Sequence, residues 1–130
     1  MIGWVLAAVG AVGVGMLVWW QGFAAPPGHL YGMDTVEGEA AYCQAVSERI
    51  HEIVGIAGDA RLRAHLDEQL AFWRPRSAGL AVQGRMALGR DLAAPGVNEG
   101  AHLHLAVQDC AWRAVGFYGH RFASLVASGL

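Results

Sequence analysis

The stretch that decides the fold is Asp34-Thr-Val-Glu-Gly-Glu-Ala-Ala-Tyr-Cys43-Gln-Ala-Val-Ser-Glu-Arg-Ile50-His-Glu-Ile-Val-Gly55-Ile-Ala-Gly58-Asp59. Cys43, Val46, Ile50, Ile53 and Ala57 recur at three- and four-residue steps, the period of one buried helix face. Asp34 or Thr35 supplies an N-cap oxygen, and Glu37 and Glu39 suit the positive end of the helix dipole. Gly55 and Gly58 mark the stop, and Asp59 caps a second helix with Leu62, Leu66, Leu70 and Trp73 on one face. Pro75 ends or kinks that helix, because its ring would meet the carbonyl of Ala71.

A third helix is expected from about Ser77 to Leu92, with Leu80, Met86 and Leu88 available for burial and glycines at 79, 84 and 89 weakening it. After the loop Ala94-Pro95-Gly96-Val97, Asn98 caps a fourth, expected to run to about Val126 with Leu103, Ala106, Val107, Cys110, Ala114, Phe117 and Phe122 facing inward. No run has strand character, and short loops join antiparallel neighbours. The fold class is therefore all-α: an N-terminal transmembrane helix, then a small antiparallel bundle of three to four helices with one disulfide.

Upstream, Ile2 to Trp20 is 19 residues without a charged side chain, about 28 Å of helix and close to a bilayer's hydrocarbon thickness. Trp4 at one end and Trp19 and Trp20 at the other have the spacing of interfacial anchors. Gly3, Ala7, Ala11 and Gly15 recur every four residues and form a face on which a partner helix can pack closely. Residues 1–23 are read as the transmembrane helix, 24–33 as a Pro/Gly linker and 34–130 as an extracytoplasmic bundle. The implied location is a bacterial inner membrane, single-pass, with the N-terminus cytoplasmic and the C-terminal domain periplasmic.

The cysteines, Cys43 and Cys110, lie on the apolar stripes of the first and last bundle helices. In an oxidising compartment they are expected to pair. The chain carries 15% charged residues and a net charge of -2, which gives an anionic polymer no electrostatic handle and excludes nucleic acid as partner.

Chemistry-bearing patterns are few. Glu48 with His51, and Glu99 with His102, each form Glu-x-x-His, the pair used in di-iron carboxylate bundles. On helical geometry they do not share one seam, so no metal and no cofactor is assigned, and a metal- or cofactor-binding bundle stands as the alternative function. None of the serines sits in a nucleophile elbow, and no phosphate-cradling loop occurs. Trp73-Arg74-Pro75-Arg76 joins an aromatic ring and two guanidinium groups at a turn, residue types enriched at interface hot spots, and is a candidate docking tip. The expected function is non-enzymatic: an accessory, stabilising or assembly subunit of a larger inner-membrane complex of the respiratory or photosynthetic kind. Its expected partners are lipid and an integral membrane protein complex, reached through the span, the bundle or both.

Overall fold

A computed structural model describes residues 2–19 and 29–127, with side chains for 2–16 and 29–125. The described residues form six α-helices and no strand: α1 (Ile2–Trp19), α2 (Val36–Val54), α3 (Ala60–Trp73), α4 (Ala81–Ala93), α5 (Glu99–Gly116) and α6 (Ala123–Ala127). Short 3-10 turns cover Leu30–Gly32 and Arg74–Arg76. The anticipated caps form. The Thr35 hydroxyl accepts from the Gly38 N–H, the Asp59 carboxylate from Arg61 and the Asn98 side chain from Ala101.

The transmembrane assignment is corrected. Among the described residues no helix is long and apolar enough to cross a membrane. The described part of helix α1, Ile2–Trp19, is 18 residues or about 27 Å long. A hydrocarbon core of about 30 Å takes about 20 predominantly apolar residues, and Gly3, Gly10, Gly13 and Gly15 dilute the apolar side chains. The single-pass inner-membrane placement, with a cytoplasmic N-terminus and a periplasmic domain, falls with it. Trp20 and linker residues 24–28 lie outside the described residues, as does the Trp19 side chain.

Helix α2 is the centre of the bundle. Ten consecutive residues, Gly38 to Ser47, are buried, because α3, α4 and α5 all pack against it. Small residues (Gly38, Ala40, Ala41, Ala45) let the neighbours approach. Glu39 to Arg113, Cys43 to Cys110 and Arg49 to Glu99 pair in opposite numerical order, so α2 and α5 run antiparallel. The Cys43–Cys110 disulfide joins them with 5.7 Å between Cα atoms. One half of the core gathers Ala40, Phe72, Trp73, Ala114 and Phe122 around that bond; the other holds Tyr42, Val46, Ala87, Leu88, Leu103 and Ala106.

The inward face of α2 is shorter than its period suggests. Cys43 and Val46 are buried, whereas Ile53 and Ala57 are exposed. Helix α4 begins at Ala81, four residues late, because Ser77–Leu80 is a turn with Ala78 at φ 50° and Gly79 at φ 79°. Helix α5 stops at Gly116, ten residues short of expectation, and the chain turns at Gly119, φ 67°, before α6.

Gly84 has a packing reason to be a glycine. A Cβ built there would lie 2.2 Å from the Ala41 carbonyl oxygen, so α4 crosses α2 backbone to backbone. Gly84→Ala is expected to destabilise the bundle by about 1–3 kcal/mol through overpacking. Gly89, on the same helix, meets nothing within 4 Å, so Gly89→Ala should stabilise by up to about 1 kcal/mol through helix propensity. Urea unfolding of the two variants checks the opposite signs.

Candidate functional site

Two features stand out: the surface of α1 and the polar cluster that fastens the turn at 30–32 to the bundle. Every described side chain of α1, residues 2–16, is exposed. Trp4 is 84% exposed, and Val5, Leu6, Val9, Val12, Val14 and Met16 are exposed as well. The candidate packing face of Gly3, Ala7, Ala11 and Gly15 is open, and a Cβ at Gly3, Gly10, Gly13 or Gly15 would meet nothing within 4 Å.

Residues 29–33, expected to belong to a linker, pack on the bundle instead. Tyr31 adopts a left-handed conformation, φ 57° and ψ 32°, which is strained for a residue of this size. Three contacts hold it. Its ring stacks on Tyr42 with centroids 4.7 Å apart, it meets His102 edge-on at 5.4 Å, and its hydroxyl donates to Asp109 at 2.6 Å. The neighbouring Leu30 N–H donates to the buried Glu39 carboxylate at 2.8 Å.

Tyr42 extends the cluster. Its hydroxyl donates to Asp91 Oδ2, so the 2.9 Å contact with His102 Nε2 has the imidazole N–H donating to the phenol oxygen. Burial, and then the hydrogen bond and charge of the adjacent carboxylate, push both phenols well above their ordinary pKa, Tyr31 through Asp109 and Tyr42 through Asp91. Both therefore stay protonated donors, a chemistry suited to holding rather than to nucleophilic attack.

No family model matches the chain, and no curated protein or solved structure matches it. Its own geometry is what bears on function.

The two Glu-x-x-His pairs do not converge. Glu48 accepts from Gln44 and from Arg85, and His51 Nε2 lies 2.7 Å from Asp67. Glu99 pairs with Arg49 at 2.7 Å, and His102 belongs to the tyrosine cluster. Among the described residues no three His, Cys, Asp or Glu side chains stand where they could hold a metal ion. Two open grooves flank these residues. One of about 430 Å³ is walled by Glu48, Arg49, Glu52, Arg85 and Glu99, which pair with one another. The other, about 560 Å³, lies between the end of α2 and the start of α3 beside His51 and Asp67.

The docking tip is corrected at Trp73. Its ring is fully buried in the disulfide half of the core, and its Nε1 N–H donates to Gln69 at 3.1 Å, so it cannot meet a partner. Arg76 stacks its guanidinium 3.7 Å above Phe72 and donates to the Phe72 carbonyl, while Arg74 is exposed. Sequence reasoning missed Tyr31, Tyr42, Asp91 and Asp109. They come from four separate elements, and no motif spacing connects them.

Proposed function

We propose that this chain is a non-enzymatic interaction protein, an accessory or stabilising subunit of a larger protein complex, with α1 as its docking element. The observation that carries this reading is the exposed, uncharged and apolar surface of α1 from Ile2 to Met16. A contiguous apolar surface of that kind, left in water, costs free energy that a partner's surface recovers. The occupant is a helix of a different subunit. Charge is absent from α1, so the facing surface is apolar, and Gly3, Ala7, Ala11 and Gly15 offer it a close backbone approach. The bundle serves as a rigid base, braced by the disulfide and by the tyrosine cluster that seats the segment entering it. The disulfide also favours an oxidising compartment.

The test is purification of the full chain through a C-terminal tag in mild detergent, followed by mass spectrometry and light scattering. A second polypeptide in stoichiometric yield is expected. Ala7→Leu with Ala11→Leu should release it while leaving the thermal midpoint of the bundle unchanged. Recovery as a lone monomer overturns the proposal, and so does a dimer of this chain alone.

A further inference from the structure

His65 is a histidine whose tautomer can be derived from its neighbours. The indole N–H of Trp73 can only donate, and it donates to Gln69 Oε1 at 3.1 Å. That fixes the Gln69 amide, whose Nε2 then donates to the Val107 carbonyl at 3.0 Å and points its second hydrogen at His65 Nε2, also at 3.0 Å. His65 Nε2 is therefore the acceptor, and the ring proton sits on Nδ1, from which it donates to the Ser124 hydroxyl on α6 at 3.2 Å. The Ser124 N–H in turn donates to Glu68 at 2.8 Å. Edge-on packing of the His65 ring against the buried Phe122, at 5.2 Å, completes the join between α3 and the C-terminal segment.

We infer that His65 is the acid-sensitive element of a latch that holds α6 on α3, opened when a proton is placed on its Nε2. The added N–H would face the Gln69 NH2 group at 3.0 Å, donor against donor. Gln69 cannot turn its oxygen to meet that proton without breaking its bonds to both Trp73 and Val107. Gln69 and Trp73 are both fully buried, so turning the amide would set its NH2 group against the indole N–H out of water's reach. The cheaper response moves His65, and its ties to Ser124 and Phe122 go with it. Phe122 and Leu125 then leave the cluster around Phe72 and Trp73, uncovering an aromatic surface.

The groups facing the ring are Glu68 and Gln69 of α3, Phe122, and Ser124 of α6; α5 adds the Val107 carbonyl, which acts through Gln69. Burial lowers the His65 pKa from its ordinary 6.5, and the Glu68 charge offsets part of that effect. The undocked ring thus binds a proton more readily than the docked one. The stability lent by docking is complete above about pH 6.5 and is lost as the pH falls through the lowered value.

The test is NMR on the full ¹⁵N-labelled chain. At pH 7.5 the His65 ring is expected to show the Nδ1–H tautomer. On acidification the Ser124 amide should titrate with the same midpoint as the ring. Its exchange protection, corrected for intrinsic rates, should fall by up to about tenfold for each pK unit separating docked and undocked His65. In His65→Gln that pH response should vanish. An Nε2–H tautomer at neutral pH overturns the latch, as does a Ser124 amide indifferent to the ring's titration or a response that survives His65→Gln. The first two measurements use the native chain and decide the matter even where the variant does not fold.

Discussion

Removing the disulfide with Cys43→Ala and Cys110→Ala is expected to lower the stability of the bundle by about 4 kcal/mol. The bond spans 67 positions along the chain, and chain-entropy arguments assign about that much to cross-linking a loop of this length. Both sulfurs are fully buried between Ala40, Phe72, Trp73 and Ala114, so loss of their volume adds a packing cost of the same sign. A change of that size is a large share of what a small domain has, about 5–15 kcal/mol. In a chain of this size the thermal midpoint should fall by about 15–30 °C. Calorimetry with and without reductant checks it, and a drop of only a few degrees would mean the helices hold without the bond.

Glu39→Gln is expected to cost about 3–5 kcal/mol. Glu39 is fully buried, accepting the Arg113 Nε–H on one oxygen and the Leu30 N–H on the other, each at 2.8 Å. Glutamine keeps one acceptor and turns the other position into a donor, which would confront either Arg113 or Leu30. Arg113 would also lose the carboxylate it pairs with, and among the described residues its Nη2 already finds no acceptor. Urea unfolding measures the loss. Glu39→Gln combined with Arg113→Met should cost less than the sum of the two single changes, because the pair acts as a unit.

The caps at Asp59 and Asn98, and the first one to within Asp34 or Thr35, are legible because an N-cap needs only a short polar side chain just before an apolar period. The disulfide was legible because both cysteines sit on apolar stripes. What escaped depends on tertiary approach. Gly84 reads as a weak point in a helix until Ala41 is seen to occupy the space of its side chain. Trp73 reads equally as a surface anchor or a core ring, and only its bond to Gln69 and its complete burial distinguish them. The turn at Gly119 ended α5 early against an apolar pattern that Phe122 appeared to continue, since Phe122 re-enters the core from the far side of that turn. The membrane span was read from a run of apolar residues alone, and among the described residues no helix is long and apolar enough to cross a membrane. The tyrosine cluster left no trace in the sequence because its members meet only after four elements assemble.

The central position of α2 has a consequence for biosynthesis. It is the first bundle helix to be translated, yet Arg113 and Cys110, which neutralise Glu39 and bond Cys43, come about seventy codons later. Until α5 emerges, the Gly38–Ser47 stretch of α2 stays uncovered, with the Glu39 carboxyl and the Cys43 thiol not yet partnered. The nascent chain therefore cannot mature piecemeal from its leading end. The burial of Glu39 and the closing of the disulfide both wait for the helix that supplies Cys110 and Arg113.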